Sequence, residues 1–170
     1  MSDVVGRIFL HGLESSGHGF KAKLLRSIFP AMLTPDFRGT LEERMEQLTP
    51  IMAERQSWII VGSSFGGLMG ALGAAAAAGG DARGHPQQVR KLVLLAPALT
   101  RPQFADAPPA PIAVPVVAYH GRGDTVIPLE PTRALAERVF SNLTFHVVDD
   151  NHMLRATVQS IDWHTLLRTA

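Results

Sequence analysis

The sequence predicts an α/β protein of three layers, with about six mostly parallel strands in one sheet and helices on both faces. Two observations favour this class. Apolar, β-branched runs alternate along the chain with segments whose apolar residues recur at helical spacing. The strand candidates are mostly continuous apolar runs, which is typical of parallel strands buried on both faces. With 170 residues, we expect a single domain over 1–170 and no lid domain.

The individual elements are recognised by their periodicity and by the residues that begin and end them. Thr40 and Glu43 form a capping box, which predicts a helix start. Pro50 predicts either a kink in that helix or a restart with Thr49 as its cap. The predicted strands are residues 4–10, 31–34, 58–61, 92–96, 114–119 and 143–148. The predicted helices are residues 20–29, a segment that follows Thr40, 65–78, 132–140 and 157–167.

Residues 97–115 interrupt this alternation, because they contain six of the twelve prolines. Proline lacks a backbone N–H and fixes φ, so a regular helix is not expected there. We expect an extended or irregular loop that leaves the sheet at the carboxyl ends of the strands. Residues 81–86 are expected to form a polar surface loop.

The composition excludes several classes of function. The net charge is +1 without a run of Lys or Arg, so nucleic acid is not an expected partner. The chain has no cysteine, which excludes disulfides, thiolate metal sites and cysteine nucleophiles. No signal peptide is recognised, and the apolar segment 65–78 is too short to span a bilayer, so a cytoplasmic protein without a membrane partner is expected. The histidine spacing suggests no metal site, and the oligomeric state stays open.

The pattern Gly62-Ser63-Ser64-Phe65-Gly66 lies between an apolar strand candidate and a helix rich in small residues. Such a G-x-S-x-G order predicts a strand, a sharp turn and a helix, with Ser64 at the apex of the turn. Glycines are needed on both sides because the strand and helix backbones approach too closely for a Cβ. Ser64 is therefore a candidate nucleophile at a helix N-terminus.

A serine nucleophile needs a base and a third group that orients the base. Asp124 follows the fifth predicted strand and His152 follows the sixth, so the chain order is Ser64, Asp124, His152. The joint occurrence after successive strands favours this pair. Asp149 and Asp150 are weaker candidates for the acid because they are too near His152 in sequence. His120 and His146 lie at or inside predicted strands, where a structural role is expected.

Two backbone donors are also needed for an oxyanion. We expect one at Phe65, directly after the nucleophile, and one at Leu13, in the loop that follows the first strand. That loop also partly matches a phosphate-binding loop. His18 and Gly19 stand where Lys and Ser/Thr would be required, so a nucleotide-binding module is disfavoured.

The motifs His11-Gly12, Gly62 to Gly66, His120 to Asp124 with Val126-Ile127-Pro128, and Asp150 to His152 together resemble the small, lidless bacterial α/β-hydrolases, which act as esterases. The resemblance covers residues 4 to about 167. It implies Ser64 as nucleophile, Asp124 as acid, His152 as base, and Leu13 and Phe65 as the oxyanion hole. Compared with larger members, we expect the sheet to lack their extra N-terminal strands and the substrate pocket to be shallow.

The sequence thus predicts hydrolysis of small acyl esters through an acyl-enzyme, without a cofactor or metal. Apolar residues near the site, Leu13, Phe65 and Leu68, are expected to bind the substrate and favour an uncharged acyl group. Thioester or peptidase-like amide hydrolysis at the same site stays open as an alternative. A hydrolase-fold binding protein without activity also stays open.

Overall fold

Five parallel strands form one sheet in the computed structural model, which describes residues 4–79 and 88–169. They lie in the sheet in the order in which they occur in the chain. The strands are β1 (Gly6–Leu10), β2 (Ser57–Ser63), β3 (Gln88–Leu95), β4 (Val116–Gly121) and β5 (Leu143–Val148). The predicted α/β class with a parallel sheet is confirmed. The polar loop predicted at residues 81–86 lies outside the described residues.

The predicted strand at residues 31–34 is reduced to a single bridge between Leu33 and Ile8 at the edge of β1. The Leu33 N–H donates to the Arg7 carbonyl at 2.9 Å, and the Leu33 carbonyl accepts from the Phe9 N–H at 2.9 Å. Pro35 follows the segment and has no N–H to donate to β1, so the ladder cannot extend beyond it in that direction. On the other side, the Met32 N–H donates to the Phe29 carbonyl at 3.0 Å in a turn.

The helices cover both faces of the sheet. They are α1 (Phe20–Ile28), α2 (Leu41–Met52), α3 (Phe65–Gly79), α4 (Pro102–Ala105), α5 (Leu129–Val139), α6 (Arg155–Ser160) and α7 (Trp163–Leu166). Successive side chains of a strand point to opposite faces. Accordingly, Ile60 packs in a core with α2, α3 and α5, whereas its neighbour Ile59 packs with α1, α6 and α7. The predicted three-layer arrangement is confirmed.

Two helices settle points that the sequence left open or predicted otherwise. The α2 helix continues through Pro50, and the Thr49 hydroxyl donates to the Met45 carbonyl at 2.9 Å, so of the two alternatives at Pro50 the restart with Thr49 as cap is wrong. The predicted closing helix at residues 157–167 is split into α6 and α7. The Asp162 side chain accepts the Thr165 N–H and so caps the second of them. Within the Pro-rich segment 97–115, the helix α4 is a single short turn, in agreement with the expected irregular loop.

The sheet topology places the candidate site. Because the strands are parallel, their carboxyl ends share one edge of the sheet. The loops that follow β1, β2, β4 and β5 emerge at this edge, and they contain the residues that the sequence singled out. None of the described helices is long and apolar enough to cross a membrane.

Candidate active site

The turn between β2 and α3 holds Ser64 in a left-handed backbone conformation, with φ of 55°. This conformation is unfavourable for a residue with a Cβ and persists only where the surroundings enforce it. Here the Ser64 N–H donates to the Leu95 carbonyl at 2.9 Å. The Ser64 carbonyl accepts from the N–H groups of Gly67, Leu68 and Ala98, at 2.9, 3.2 and 2.9 Å. Both peptide groups of the strained residue are therefore fixed by neighbouring backbone.

The glycines on either side of Ser64 are required by close packing of the backbone. A Cβ on Gly66 would overlap the carbonyl of Leu10 at the end of β1, and a Cβ on Gly62 would overlap the carbonyl of Gly66. Both obstacles are backbone atoms, which cannot move aside as a side chain can. The G-x-S-x-G pattern thus corresponds to the sharp strand–turn–helix junction that the sequence predicted, with Ser64 at its apex.

Asp124 and His152 are brought together by the loops that follow β4 and β5. His152 Nδ1 lies 2.8 Å from Asp124 Oδ2. The other carboxylate oxygen accepts the N–H groups of Val126 and Ile127, each at 2.8 Å. Burial alone would raise the pKa of the Asp124 carboxyl, but these hydrogen bonds and the nearby imidazole hold the pKa below its ordinary value. Asp124 is therefore an ionised acceptor.

The hydrogen bond to Asp124 sets the tautomer of His152. A carboxylate only accepts, so Nδ1 bears the hydrogen and Nε2 of the neutral ring is left with a lone pair. The Asp124 side chain is fully buried, whereas the His152 side chain retains 19% of its exposure. Among the described residues, a hydrogen bond joins His152 to Asp124, and none joins it to the Ser64 hydroxyl.

The two rival acids are engaged elsewhere. The exposed Asp149 side chain pairs with Arg122 at 2.9 Å. One carboxylate oxygen of Asp150 accepts from the N–H and hydroxyl of Thr157, at 3.0 and 2.8 Å. Its other oxygen accepts the N–H of residue 151 at 2.8 Å. Neither aspartate hydrogen-bonds His152 in the described part of the chain, which agrees with the preference for Asp124.

His120, at the end of β4, makes a contact that the sequence analysis missed. Its Nε2 lies 2.9 Å from the Ile127 carbonyl oxygen and 3.3 Å from Asp124 Oδ2. Both partners are acceptors, so Nε2 bears the hydrogen. Nδ1 is buried and has no hydrogen-bond partner among the described residues. In the sequence, this contact is indicated by no more than the four-residue spacing between His120 and Asp124. The structure completes it, because the turn after Asp124 brings the Ile127 carbonyl within hydrogen-bond distance of His120.

The loop that follows β1 lies against the candidate nucleophile. A Cβ on Gly12 would be 3.6 Å from Ser64 Cβ, an ordinary contact distance. The buried His11 ring fixes this loop, because its Nε2 accepts the Phe37 N–H at 2.8 Å and its Nδ1 therefore donates to the Gly12 carbonyl at 2.7 Å. Burial lowers the pKa of His11, which favours this neutral form.

The two backbone N–H groups predicted to bind an oxyanion have no acceptor in the described part of the chain. Within residues 4–79 and 88–169, no partner accepts a hydrogen bond from the backbone N–H of Leu13 or from that of Phe65. Phe65 is the first residue of α3, where an N–H has no partner within the helix. The Leu13 side chain is 44% exposed.

Two of the three predicted substrate-binding side chains are not available to a ligand. Leu68 is fully buried in the core, so its predicted role is corrected to packing. The Phe65 ring is 4% exposed. It lies beside two guanidinium groups, with the Arg44 and Arg101 Cζ atoms 5.1 and 4.9 Å from the ring centroid. Of the three predicted residues, Leu13 is the exposed one. Among the described residues, no group of three or more His, Asp or Glu side chains is arranged to hold a metal ion.

Comparison with known proteins identifies the family and the fold. A family model described as "Serine hydrolase (FSH1)" matches residues 34–157. No curated protein matches the chain. The segment matched by the family model includes the Ser64 turn and the loops with Asp124 and His152, but not the loop after β1.

Solved structures share the fold over most of the chain. A protein from Agrobacterium vitis described as a "Putative hydrolase" is 20% identical, with a TM-score of 0.72, and the match covers 91% of this chain and 84% of that one. A protein from Xanthomonas campestris described as a "putative hydrolase of the alpha/beta superfamily" is 24% identical, with a TM-score of 0.70 and coverage of 92% and 93%. The esterase Pf2001 from Pyrococcus furiosus is 19% identical, with a TM-score of 0.71 and coverage of 97% and 81%.

Proposed function

Because the chain belongs to the serine hydrolase (FSH1) family, we propose that it cleaves small acyl esters through a covalent acyl-enzyme formed on Ser64. The family and the α/β-hydrolase fold are confirmed, so hydrolase chemistry is the premise. The ester substrate and the role of each residue are the proposal. The observation that carries it is the 2.8 Å hydrogen bond between Asp124 and His152, at the same sheet edge as the strained Ser64 turn.

In the first step, His152 Nε2 takes the Ser64 proton while Oγ attacks the ester carbonyl. The Nδ1 hydrogen bond to ionised Asp124 supports this role, because it leaves Nε2 unprotonated and stabilises the imidazolium that forms. Asp124 itself keeps its charge. Catalytic hydrogen bonds are often long before substrate binds, so the lack of one between Ser64 and His152 is compatible with this step.

The tetrahedral intermediate requires donors for its negative oxygen. The free N–H groups of Leu13 and Phe65 supply them in this proposal, supported by the position of Gly12, where an added Cβ would lie 3.6 Å from Ser64 Cβ. His152 then returns the proton to the leaving alcohol, and the acyl group stays on Ser64. Water attacks the acyl-enzyme with His152 again as the base, which releases the acid and restores the serine. These groups suffice for hydrolysis, so we expect no cofactor.

The proposal is tested with a fluorophosphonate probe and with p-nitrophenyl esters of different chain length. The unmodified protein should become labelled and should hydrolyse short-chain esters, whereas Ser64→Ala should do neither. Thioester and amide substrates with the same acyl groups are assayed in parallel. Their relative rates distinguish an esterase from a thioesterase and from a peptidase-like amide hydrolase. A folded protein that neither reacts with the probe nor hydrolyses any of these substrates would instead be a binding protein.

A further inference from the structure

A cavity of about 430 Å³ opens beside the candidate oxyanion loop. Leu13 lines it, and a Cβ added to the adjacent Gly12 would lie 3.6 Å from Ser64 Cβ, so the cavity adjoins the proposed reaction centre. Its other lining residues come from the same loop, from the segment that leads into α2, and from the first turn of α2. The residues relevant to binding are His11, Leu13, Asp36, Phe37, Arg38 and Arg44.

Arg44 is the unusual member of this lining. It is only 5% exposed, and its Nη1 is buried without a hydrogen-bond partner among the described residues. Nε donates to the Gly39 carbonyl at 3.0 Å. No carboxylate lies within ion-pair distance of this guanidinium in the described part of the chain. A buried charge without a counter-charge costs free energy unless a ligand supplies one.

The other charged groups of the cavity leave a positive balance. Arg38 is exposed and adds a second guanidinium. Asp36 is the acid of this lining, but it is already engaged: one oxygen accepts the Gly17 N–H at 2.7 Å, and the other lies 3.5 Å from His18 Nε2. The neutral tautomer of His11 adds no charge. The cavity therefore has two positive guanidinium groups and one negative carboxylate, a net charge of about +1. This balance suits an anion of single charge better than a dianion such as phosphate.

We propose that this cavity binds a carboxylate of the substrate, so that the preferred ester carries a free carboxylate held by Arg44. The inference rests on the proposed ester hydrolysis at Ser64 and names its substrate class. A guanidinium and a carboxylate match in geometry and in charge, and their hydrogen bonds are among the stronger ones in proteins. The carboxylate takes part in no bond change: the ester C–O bond breaks as before. This substrate is anionic, whereas the sequence favoured an uncharged acyl group. That earlier expectation depended on Leu13, Phe65 and Leu68, and the last two are buried.

The first test compares esters that differ only in the carboxylate. Mono-p-nitrophenyl glutarate carries it on the acyl side, and p-nitrophenyl valerate is its neutral match. The 4-acetoxybenzoate anion carries it on the leaving group, with phenyl acetate as the match. The rate without protein, which for the glutarate ester includes attack by its own carboxylate, is subtracted in each case. One of the two charged esters should exceed its match in kcat/KM by roughly tenfold or more, as expected for a charge-assisted hydrogen bond. No preference in either pair would overturn the proposal.

The second test assigns the preference to Arg44. Arg44→Met should abolish it. Arg101→Met is the matched control, since Arg101 also lies over Phe65 but does not line the cavity, and this variant should keep the preference. A preference that survives in folded Arg44→Met would contradict the proposal. If Arg44→Met does not fold, competitive inhibition of the unmodified protein is measured with glutarate and with glutaramide. Glutarate should inhibit more strongly, and equal inhibition would overturn the proposal.

These outcomes separate the inference from the function on which it rests. Hydrolysis of neutral esters without a carboxylate preference would remove only the inference. Absence of both fluorophosphonate labelling and ester hydrolysis would remove the proposed function itself.

Discussion

The turn that presents Ser64 and the loops that present Asp124 and His152 differ in what holds them in place. The Ser64 turn is fixed by backbone: hydrogen bonds saturate both peptide groups of Ser64, and glycines admit the neighbouring chain. The acid–base pair is fixed by side chains, through the acceptor oxygens of a buried carboxylate. Added side-chain volume should therefore destabilise the Ser64 turn. Changes of hydrogen bonding and pH should instead affect the activity and stability contributed by the Asp124–His152 pair.

The largest effect should follow from Ser64→Ala, which removes the hydroxyl and keeps the Cβ. In a serine protease, loss of the nucleophile lowers turnover on the order of a million-fold, and we expect a loss of this size. The free energy of unfolding should change little, because the turn depends on backbone contacts. The loss of turnover is measured by ester hydrolysis, and the free energy of unfolding is measured by urea denaturation. Ser63→Ala, a change at a nearly buried neighbour, is the control and should reduce turnover far less. Substantial turnover in Ser64→Ala would exclude Ser64 as the nucleophile.

The next effect in size should come from Asp124→Asn, which tests the region held by side chains. An amide can donate to the imidazole and favour the wrong tautomer, a change that lowers turnover about ten-thousand-fold in a related triad. Asp149→Asn and Asp150→Asn should cost much less, because neither residue hydrogen-bonds His152 among the described residues. Turnover of the three variants is compared after circular dichroism shows that each is folded. A dead Asp150→Asn beside an active Asp124→Asn would contradict the assignment of the acid.

Adding one methyl group tests the region held by backbone. Gly66→Ala places a Cβ against the Leu10 carbonyl, which cannot move without displacing β1, so we expect a loss of about 3 kcal/mol or more in the free energy of unfolding. Gly73→Ala in the same helix is the matched control. Its Cβ would meet nothing within 4 Å, and the better helix propensity of alanine should stabilise by up to about 1 kcal/mol. Equal stability of both variants in urea unfolding would refute this account of the turn.

The smallest effect concerns the pH dependence of stability. Hydrogen bonds hold the pKa of Asp124 below its ordinary value, so the native state binds fewer protons than the unfolded chain in the acid range. Its contribution is complete above the unfolded pKa of about 3.9 and is lost as the pH falls further. His11, whose pKa burial lowers, adds a loss that begins below about pH 6.5.

The free energy of unfolding, measured in urea at several pH values, should therefore fall on acidification. Asp124→Asn should show a smaller decrease below about pH 4 than the unmodified protein. An identical decrease in both would show that the Asp124 carboxylate does not contribute in this way. Gly73→Ala, which alters no titrating group, should follow the unmodified protein.

Local sequence was sufficient for the region held by backbone. Apolar runs of β-branched residues predict buried strands, and the G-x-S-x-G spacing around Ser64 predicts a sharp turn. The steric limit at Gly62 is local, since an added Cβ would overlap the Gly66 carbonyl, whereas the limit at Gly66 comes from the Leu10 carbonyl of β1. The positions of Asp124 and His152 followed from the same logic, because residues directly after parallel strands must meet at one edge of the sheet. The strand at 31–34 failed on equally local grounds, since Pro35 stops its ladder on one side and a turn between Phe29 and Met32 precedes it on the other.

Contacts between distant segments decided the rest. The burial of Leu68, the return of Ile127 to His120, and the enclosure of Arg44 beside Phe65 each join residues whose side-chain directions depend on how helices pack. Helical periodicity tells which residues share a face, but not which loop or cavity that face will meet. The sequence by itself therefore determined the fold and the candidate nucleophile, acid and base, because short-range sterics and strand order govern them. The charge of the adjoining cavity was decided only by tertiary structure, since it depends on whether a buried guanidinium finds a partner.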